Sequence, residues 1–345
     1  MDPTNFVCKS AACLFDKTTT PGILAFEIFI ILGALLSIFL FSKVKAKAIS
    51  RFLILALGVF IFEFFTNPLW MNYHLGKLAY VYQDVSWTLT LGWSAIVFFA
   101  MFLVEKYYDD YTEIRKFILT LTFVTIFGLL GETAVVNLGI RTYSPEVKDI
   151  ISGLYLPGLN IPLAAFYYIP VFMALVISFY KFWSTFLDHK VMAPFNNMHW
   201  PRKLGISLVA ILLFEIMVDP MLINTSLPSW SYIYRDISLL MTGGWIVIIW
   251  SSILVIDKIF PYINAALKFF SYVLLATIIT LPIEAILVAA KIREYPPSTV
   301  ENFSELYIPG LNIPVEAAFA IMFYLILIMS FMYYWTYYYN KLTKK

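Results

Sequence analysis

The chain has 345 residues, of which 61% are apolar and only 13% are charged, and its mean hydropathy is +0.80. Charged residues make up about 25% of a typical soluble domain, so this composition excludes an ordinary soluble globular protein. The formal net charge is only +2, and we predict no nucleic-acid partner. The expected surroundings of the chain are membrane lipids.

Most apolar runs are about 20 residues long, the length at which a helix rising 1.5 Å per residue crosses a hydrocarbon layer of about 30 Å. A transmembrane β-barrel would show alternating segments of about ten residues instead. The sequence therefore predicts an all-α integral membrane protein with about nine transmembrane helices. We expect these helices at residues 23–42, 52–70, 86–104, 117–138, 161–183, 204–223, 237–256, 268–290 and 313–337.

The N-terminal tail and the basic residues predict how the chain is inserted. The tail has no apolar core of the signal-peptide type, so we expect the first helix to act as the targeting segment. Cys8 and Cys13 lie in this tail, and either a small-loop disulfide or two free thiols fit their positions. Two thirds of the 24 Lys and Arg residues fall in alternate connections and the C-terminal tail. This asymmetry predicts an outer N-terminus and a cytoplasmic C-terminus.

An internal repeat is the strongest pattern in the sequence. A constant offset of 152 residues superposes FEFFTNPLW on FEIMVDPML, YVYQD on YIYRD, and LYLPGLNIP on LYIPGLNIP. Each copy holds four helices, an even number, so we expect parallel copies related by an axis along the membrane normal. The predicted organisation is a tail and first helix (1–50), a first copy (51–187), a cytoplasmic linker (188–202) and a second copy (203–345).

Acidic residues inside the predicted helices are the candidates for catalysis, because a charge at a helix centre costs about 3 kcal/mol even on a lenient insertion scale. Glu215 and Asp219 share one helix face and would repel each other if both were ionised, so we expect one to keep its proton near neutral pH. Structural pairing of the acids with Arg141, Arg293 or tyrosines is the alternative. The catalytic candidates are Glu63, Glu132, Glu215, Asp219, Glu284 and Glu316.

The predicted substrate-binding set consists of further polar and aromatic residues in the two copies. By the predicted topology, the YVYQD, YIYRD and PGLNIP motifs lie on the outer side, where the site should open. The prolines and glycines of PGLNIP also fit a simple turn that opens a helix. Aromatic residues form interfacial belts in membrane proteins, or they line an apolar cavity and stabilise a cation. The set is Asn67, Tyr82, Asp84, Trp93, Arg141, Asn160, Tyr234, Asp236, Trp245, Arg293 and Asn312.

Several cofactor motifs are missing from the sequence. The three histidines, His74, His189 and His199, form no HxxxH or HxxHH cluster, which argues against a di-iron membrane desaturase. The sequence contains no DDxxD pair, no GxxxxGK phosphate loop and no GxGxxG fingerprint. We therefore predict neither a metal nor a cofactor.

Two sequence features resemble a known family. The order of an acidic residue and a proline in a helix, an aromatic-x-aromatic loop and a Gly-Trp helix resembles membrane carotenoid-biosynthesis proteins of the carotenoid 1,2-hydratase type. The stretch LYIPGLNIPVEAAFAIMFY is similar to the proline-x-glutamate motif of the membrane lycopene cyclase domain, which is duplicated in some proteins. That motif often has two adjacent acids, whereas Ala317 follows Glu316 here and Ala164 stands in the first copy. The resemblance covers roughly residues 60–335.

The resemblance implies a lipophilic isoprenoid substrate and an acid-initiated reaction, either cyclisation or hydration. A carboxylic acid would protonate a terminal alkene, and an internal double bond or water would capture the cation. Glu215 or Asp219 would donate the proton, Glu284 and Glu63 would assist, and Glu316 is the family-matched alternative donor.

Two other functional classes stay open. One is a transporter or channel for a small solute or ion, built from parallel repeats. The other is a structural or lipid-binding membrane protein. An enzyme predicts acids around one closed apolar pocket, whereas a transporter predicts a polar path that reaches both membrane faces.

Overall fold

A computed structural model describes residues 16–150, 153–188 and 199–342. Within these ranges, nine helices are long and apolar enough to cross a membrane, which indicates a multi-pass membrane protein. Cys8, Cys13 and His189 lie outside the described ranges, as does most of the predicted linker. The helices in chain order are α1 (Pro21–Ser42), α2 (Ala48–Phe65), α3 (Trp87–Tyr107), α4 (Glu113–Asn137), α5 (Pro145–Asp149), α6 (Ala165–Leu187), α7 (Trp200–Val218), α8 (Leu239–Ile259), α9 (Ala265–Ala289), α10 (Pro297–Glu301) and α11 (Val315–Leu342).

Two helices end earlier than the sequence predicted, and in each case a proline follows the end. Helix α2 stops at Phe65 instead of residue 70, because Pro68 lacks an N–H and restricts the residue before it. The Thr66 hydroxyl donates at 2.8 Å to the Phe62 carbonyl, which also accepts from the Thr66 backbone N–H at the helix end. Helix α7 ends at Val218 in the same way, two residues before Pro220.

The chain folds as two compact units, one ending at Tyr180 and the next beginning at Lys181. In unit 1, α1 packs along α3, and α3 also contacts α2 and α4. In unit 2, α8 packs on α9 and α7, and α11 packs on α7 and α9. The helix α1 therefore extends the helical packing of unit 1.

Short antiparallel strands in the loops are an addition to the predicted all-helical fold. They form four two-stranded sheets, β1 with β4, β2 with β3, β5 with β8 and β6 with β7. The register puts Asn72 opposite Arg141 and Asn224 opposite Arg293, which ties the loop after one helix to the loop two helices later. The strands are β1 (Trp70–Asn72), β2 (Tyr80–Tyr82), β3 (Val85–Ser86), β4 (Arg141–Tyr143), β5 (Ile223–Asn224), β6 (Tyr232–Tyr234), β7 (Ile237–Ser238) and β8 (Arg293–Glu294).

The first turns of α1 are anchored to the loops of unit 1. Ile23 is buried in a cluster that includes Leu75, Leu89 and Val135, from the loop, α3 and α4. Glu27 accepts a hydrogen bond from the backbone N–H of Gly76 at 3.2 Å. These contacts hold α1 against α3 and α4, where it forms a wall of the cleft described below.

Candidate functional site

A buried charged network links α4 to the strands of unit 1. Arg141 donates from Nη1 to Glu132 Oε1 at 2.5 Å and from Nε to Asn72 Oδ1 at 2.9 Å. The Tyr143 hydroxyl donates to Glu132 Oε2 at 2.8 Å, and the Trp70 ring lies 4.7 Å from the guanidinium. Burial lowers the pKa of Arg141, but the neighbouring carboxylates, Glu132 first, raise it, and the net shift is upward. The guanidinium therefore stays charged.

Unit 2 contains the corresponding network, formed by the residues that lie 152 positions later in the chain. Arg293 Nη1 donates to Glu284 Oε2 at 2.7 Å, and the Tyr295 hydroxyl donates to Glu284 Oε1 at 2.9 Å. Arg293 also reaches Asn224 Oδ1 from Nε at 3.2 Å and from Nη2 at 3.1 Å. Burial, together with Glu284, raises the pKa of Tyr295, so its hydroxyl stays a donor. In each unit, an arginine and a tyrosine thus contact one glutamate. This is the structural pairing that the sequence left open as the alternative to a catalytic role.

Two aspartates, the buried Asp84 and the half-buried Asp236, hold the asparagines that contact these arginines. In unit 1, Asp84 Oδ2 accepts from the backbone N–H of Asn72 at 2.7 Å, and Asn72 Nδ2 donates to the Asp84 carbonyl at 3.1 Å. In unit 2, Asp236 and Asn224 make the same two contacts at 3.1 Å and 3.0 Å. Burial raises the pKa of Asp84 to about 7. These aspartates position the asparagine oxygen that faces the guanidinium.

A further carboxyl group in each unit lies against a threonine. Thr90 Oγ1 is 2.5 Å from Glu63 Oε2 and 3.1 Å from the Ser86 carbonyl oxygen. Both distances recur in unit 2 between Thr242, Glu215 and Ser238. The three residues of the set are buried in each unit, so the two units share this geometry.

One polar pair differs in charge between the units. In unit 1, Asn67 Nδ2 donates to Gln83 Oε1 at 3.0 Å. In unit 2, Arg235 Nε lies 3.4 Å from Asp219 Oδ2, and the two side chains are 37% and 2% exposed. An ion pair therefore stands where unit 1 has an amide pair. The cation also opposes the repulsion that the sequence predicted between Asp219 and Glu215.

A cleft of about 490 Å³ lies between α1, α3 and α4 of unit 1. Its walls are almost entirely apolar, and Glu132 and Arg141 are its charged lining residues. The sequence had given α1 no role, and here α1 forms one wall. Representative lining residues are Phe29, Gly33, Gly92, Trp93, Phe99 and Phe127.

Trp93 and Glu132 also line a second pocket of unit 1, of about 30 Å³. Its other walls are aromatic and aliphatic, and the Phe172 ring lies 4.8 Å from that of Phe62 and 5.1 Å from that of Tyr168 between centroids. Glu132 is thus a carboxylate that borders both an apolar cleft and an aromatic pocket.

The acids of unit 2 surround a much smaller space. A cavity of about 20 Å³ is lined by Glu215, Asp219, Asp236 and Arg293, together with Trp245. A single water needs about 10–15 Å³, so this cavity is water-sized rather than substrate-sized.

The other predicted site residues have local contacts. Glu316 Oε1 accepts from the backbone N–H of Ser304 at 2.8 Å, which ties the start of α11 to the loop after α10. Tyr82 and Tyr234 are exposed on β2 and β6. Asn160 and Asn312 adopt left-handed backbone conformations with φ of 58° and 53°, which asparagine tolerates better than most residues. The geometry of both asparagines is that of a turn.

Sequence reasoning missed several residues that the structure brings into these networks. Placing an uncharged threonine or asparagine in a membrane helix or loop costs little free energy, so these residues did not stand out in the sequence. The repeat offset was the available signal, because each residue has an identical partner 152 positions later. The missed pairs are Asn72/Asn224, Ser86/Ser238, Thr90/Thr242 and Tyr143/Tyr295.

Among residues 16–150, 153–188 and 199–342, no group of three or more His, Cys, Asp or Glu side chains is arranged to hold a metal ion. His74 Nδ1 lies 3.4 Å from the Asp16 carboxylate, which gives this histidine a local ionic contact. Comparisons of the chain with protein-family models, with curated proteins and with solved structures found no match.

Proposed function

We propose that this chain is a multi-pass membrane enzyme whose substrate is an elongated, apolar molecule of the isoprenoid class, bound in the cleft between α1, α3 and α4. The cleft carries this proposal. Its volume of about 490 Å³ falls within the range of about 300–1,000 Å³ for small-molecule sites. Walls without free polar groups favour a hydrocarbon, since apolar burial contributes about 25 cal/mol per Å².

The proposed reaction is the acid-initiated isomerisation or hydration of an alkene. A carboxylic acid adds its proton to a terminal double bond, and a neighbouring double bond closes on the resulting cation. Loss of a proton to a carboxylate then gives an isomer of the substrate, and capture by water gives a hydrated product instead. Neither outcome needs a redox cofactor.

The contacts of the acids support different roles in this chemistry. Glu132 borders the cleft and is paired with Arg141, so it suits a proton acceptor or a stabiliser of the cation. Glu63 contacts Thr90 instead of a cation and belongs to the unit that contains the cleft. Glu63 does not line the cleft, so we propose it as the proton reserve of unit 1 and Glu132 as the acid that meets the substrate, in preference to Glu215 or Asp219, which border a cavity of only about 20 Å³.

We further propose that residues 51–187 and 203–345 are tandem copies of one four-helix unit, inserted in the same orientation, and that the N-terminus lies outside. Support comes from contacts that recur at a constant offset, such as Arg141 with Glu132 and Arg293 with Glu284. In this orientation the strand-bearing loops of both units lie on the outer side, because the basic loops lie at the other helix ends.

The experiment that tests this function fills the cleft without disturbing its walls. A Cβ atom at Gly33 would meet nothing within 4 Å, so Gly33→Phe should place a ring in the cleft. Gly244→Phe is the matched control, because this helix glycine of unit 2 also has open space around it. The wild type and both variants are purified from isoprenoid-producing cells, and bound molecules and cellular products are identified by mass spectrometry.

We expect the wild type and Gly244→Phe to retain an isoprenoid and to form a cyclised or hydrated product, and Gly33→Phe to lose both. Retention of phospholipid chains alone would refute an isoprenoid substrate and favour a lipid-binding protein. Solute or ion flux in liposomes without any bound isoprenoid would favour the transporter alternative.

A further inference from the structure

We propose that Glu63 in unit 1 and Glu215 in unit 2 are neutral carboxylic acids, and that, without bound substrate, the Glu215 proton exchanges with solvent while the Glu63 proton is retained. This inference deepens the proposed function by assigning the proton sites. Its role in catalysis rests on that function, whereas the protonation itself rests on the geometry alone.

The first argument is a count of hydrogen atoms. A threonine hydroxyl carries one hydrogen, yet Thr90 Oγ1 lies within hydrogen-bond distance of Glu63 Oε2 and of the Ser86 carbonyl, at 2.5 Å and 3.1 Å. Each contact is a full two-centre hydrogen bond only when the carboxyl group supplies the second hydrogen. Glu63 then donates to Thr90, and Thr90 donates to Ser86.

The same count of hydrogen atoms applies to the corresponding residues of unit 2. Thr242 Oγ1 lies 2.5 Å from Glu215 Oε2 and 3.1 Å from the Ser238 carbonyl oxygen. The two units therefore place this hydroxyl in the same way between a carboxyl group and a backbone carbonyl.

The charges around Glu63 agree with a neutral acid. The charged groups nearest to it are Arg141, Glu132 and Asp84, so two acids face it and one cation. That cation is already hydrogen-bonded to Glu132. Glu63 Oε1 is buried without a hydrogen-bond partner. A bare oxygen of an ionised carboxylate is far more costly to bury than the carbonyl oxygen of a neutral acid.

The surroundings of Glu215 are similar but include a space for water. Arg293 faces Glu215 and is bonded to Glu284, and the acids Asp219 and Asp236 line the same cavity of about 20 Å³. That space admits one water molecule. The water can accept the Glu215 hydrogen and donate to a neighbouring carboxylate.

Asp219 supplies the route between this cavity and solvent. Its carboxyl group is buried and lies beside Asp236, with which it shares a hydrogen bond, and both aspartates border the space for the water. Arg235 lies 3.4 Å away with a side chain that is 37% exposed, which brings Asp219 close to the solvent-accessible surface. A carboxylate in this position accepts and releases protons.

Unit 1 has amide groups at the corresponding positions. Asn67 and Gln83, which form a hydrogen bond at 3.0 Å, are neutral groups that do not take up and release protons in the physiological pH range. The route that serves Glu215 is therefore interrupted for Glu63, and the Glu63 proton should exchange slowly.

Infrared spectroscopy of the full chain in lipid vesicles tests the proposal through the carbonyl stretch of protonated carboxyl groups. At pH 7, Glu63→Gln and Glu215→Gln should each remove one such band, and the control Glu132→Gln should remove none. After transfer to D₂O, the Glu215 band should shift at once and the Glu63 band should stay. Asp219→Asn should slow the shift of the Glu215 band and leave its intensity unchanged.

If neither Gln variant removes a band, the neutral acids are overturned, and equal exchange of the two bands would overturn the assigned route. If a Gln variant fails to fold, Thr90→Val and Thr242→Val take its place. Each keeps the acid but removes its acceptor, so the assigned band should move to higher frequency. Confirmed bands in a protein that binds no isoprenoid would refute the proposed function and leave this inference standing.

Discussion

Replacing Glu132 by glutamine removes the negative charge that faces the Arg141 guanidinium and changes little else in size. Arg141 is 2% exposed, so water cannot take the place of the lost carboxylate. Asn72 would be its main remaining acceptor, at 2.9 Å. Removing one partner of a buried ion pair costs about 3–5 kcal/mol, and we expect a loss in this range for Glu132→Gln.

Two variants serve as controls for this loss. Glu63→Gln should cost less than about 1 kcal/mol, because an amide can replace a neutral acid that donates to Thr90. The double variant Glu132→Gln with Arg141→Gln should be less destabilised than the sum of its single variants, because contacting residues couple by about 0.5–3 kcal/mol. Glu284→Gln should reproduce the effect in unit 2.

The assay is unfolding of the purified chain in mixed micelles with increasing SDS, followed by circular dichroism and tryptophan fluorescence. The free energy of unfolding of each variant is compared with that of the wild type under identical lipid conditions. A loss for Glu132→Gln that is no larger than the loss for Glu63→Gln would refute the assignment of Glu132 as the ionised partner.

Three further predictions use other parts of the structure. Burial raises the pKa of Asp84 from 3.8 to about 7. Its contribution to stability is therefore complete below about pH 4 and is lost as the pH rises to about 7. Asp84→Asn should reduce the pH dependence of the thermal unfolding midpoint between these two values. Arg235→Gln alone should cost about 1–3 kcal/mol, because it leaves the buried Asp219 without its cation, and adding Asp219→Asn should restore most of the loss in the same SDS titration. Gly58→Ala should cost about 1–3 kcal/mol, because the new Cβ would lie 2.7 Å from an aromatic ring of α6, whereas Gly33→Ala meets nothing within 4 Å and should not destabilise.

The helices were predictable from the sequence because long apolar runs have one stable form in a membrane. The strands were not, since pairs such as β1 with β4 join two- or three-residue segments that lie far apart in the chain. No local pattern marks such a pairing. The helix ends were missed by a few residues where Pro68 and Pro220 stop α2 and α7.

The candidate site was predictable where charge made it conspicuous. Glu132 and Arg141 stood out because ionisable groups are rare in membrane segments, and their pairing was one of the two interpretations considered. The position of the cleft was not predictable, because α1 is apolar on nearly all sides and its sequence does not show which face packs on α3. Thr90 carries no charge, so only the repeat offset could have pointed to it.

The central claim is that the cleft of unit 1 holds an isoprenoid chain. A polyisoprenoid with a photoactivatable diazirine group is added to the chain in lipid vesicles, and the cross-linked peptides are mapped by mass spectrometry. We predict labelling concentrated on the cleft-lining segments of α1, α3 and α4, reduced by unlabelled isoprenoid and by Gly33→Phe. Labelling spread evenly over the lipid-facing residues of both units, without competition, would contradict the account.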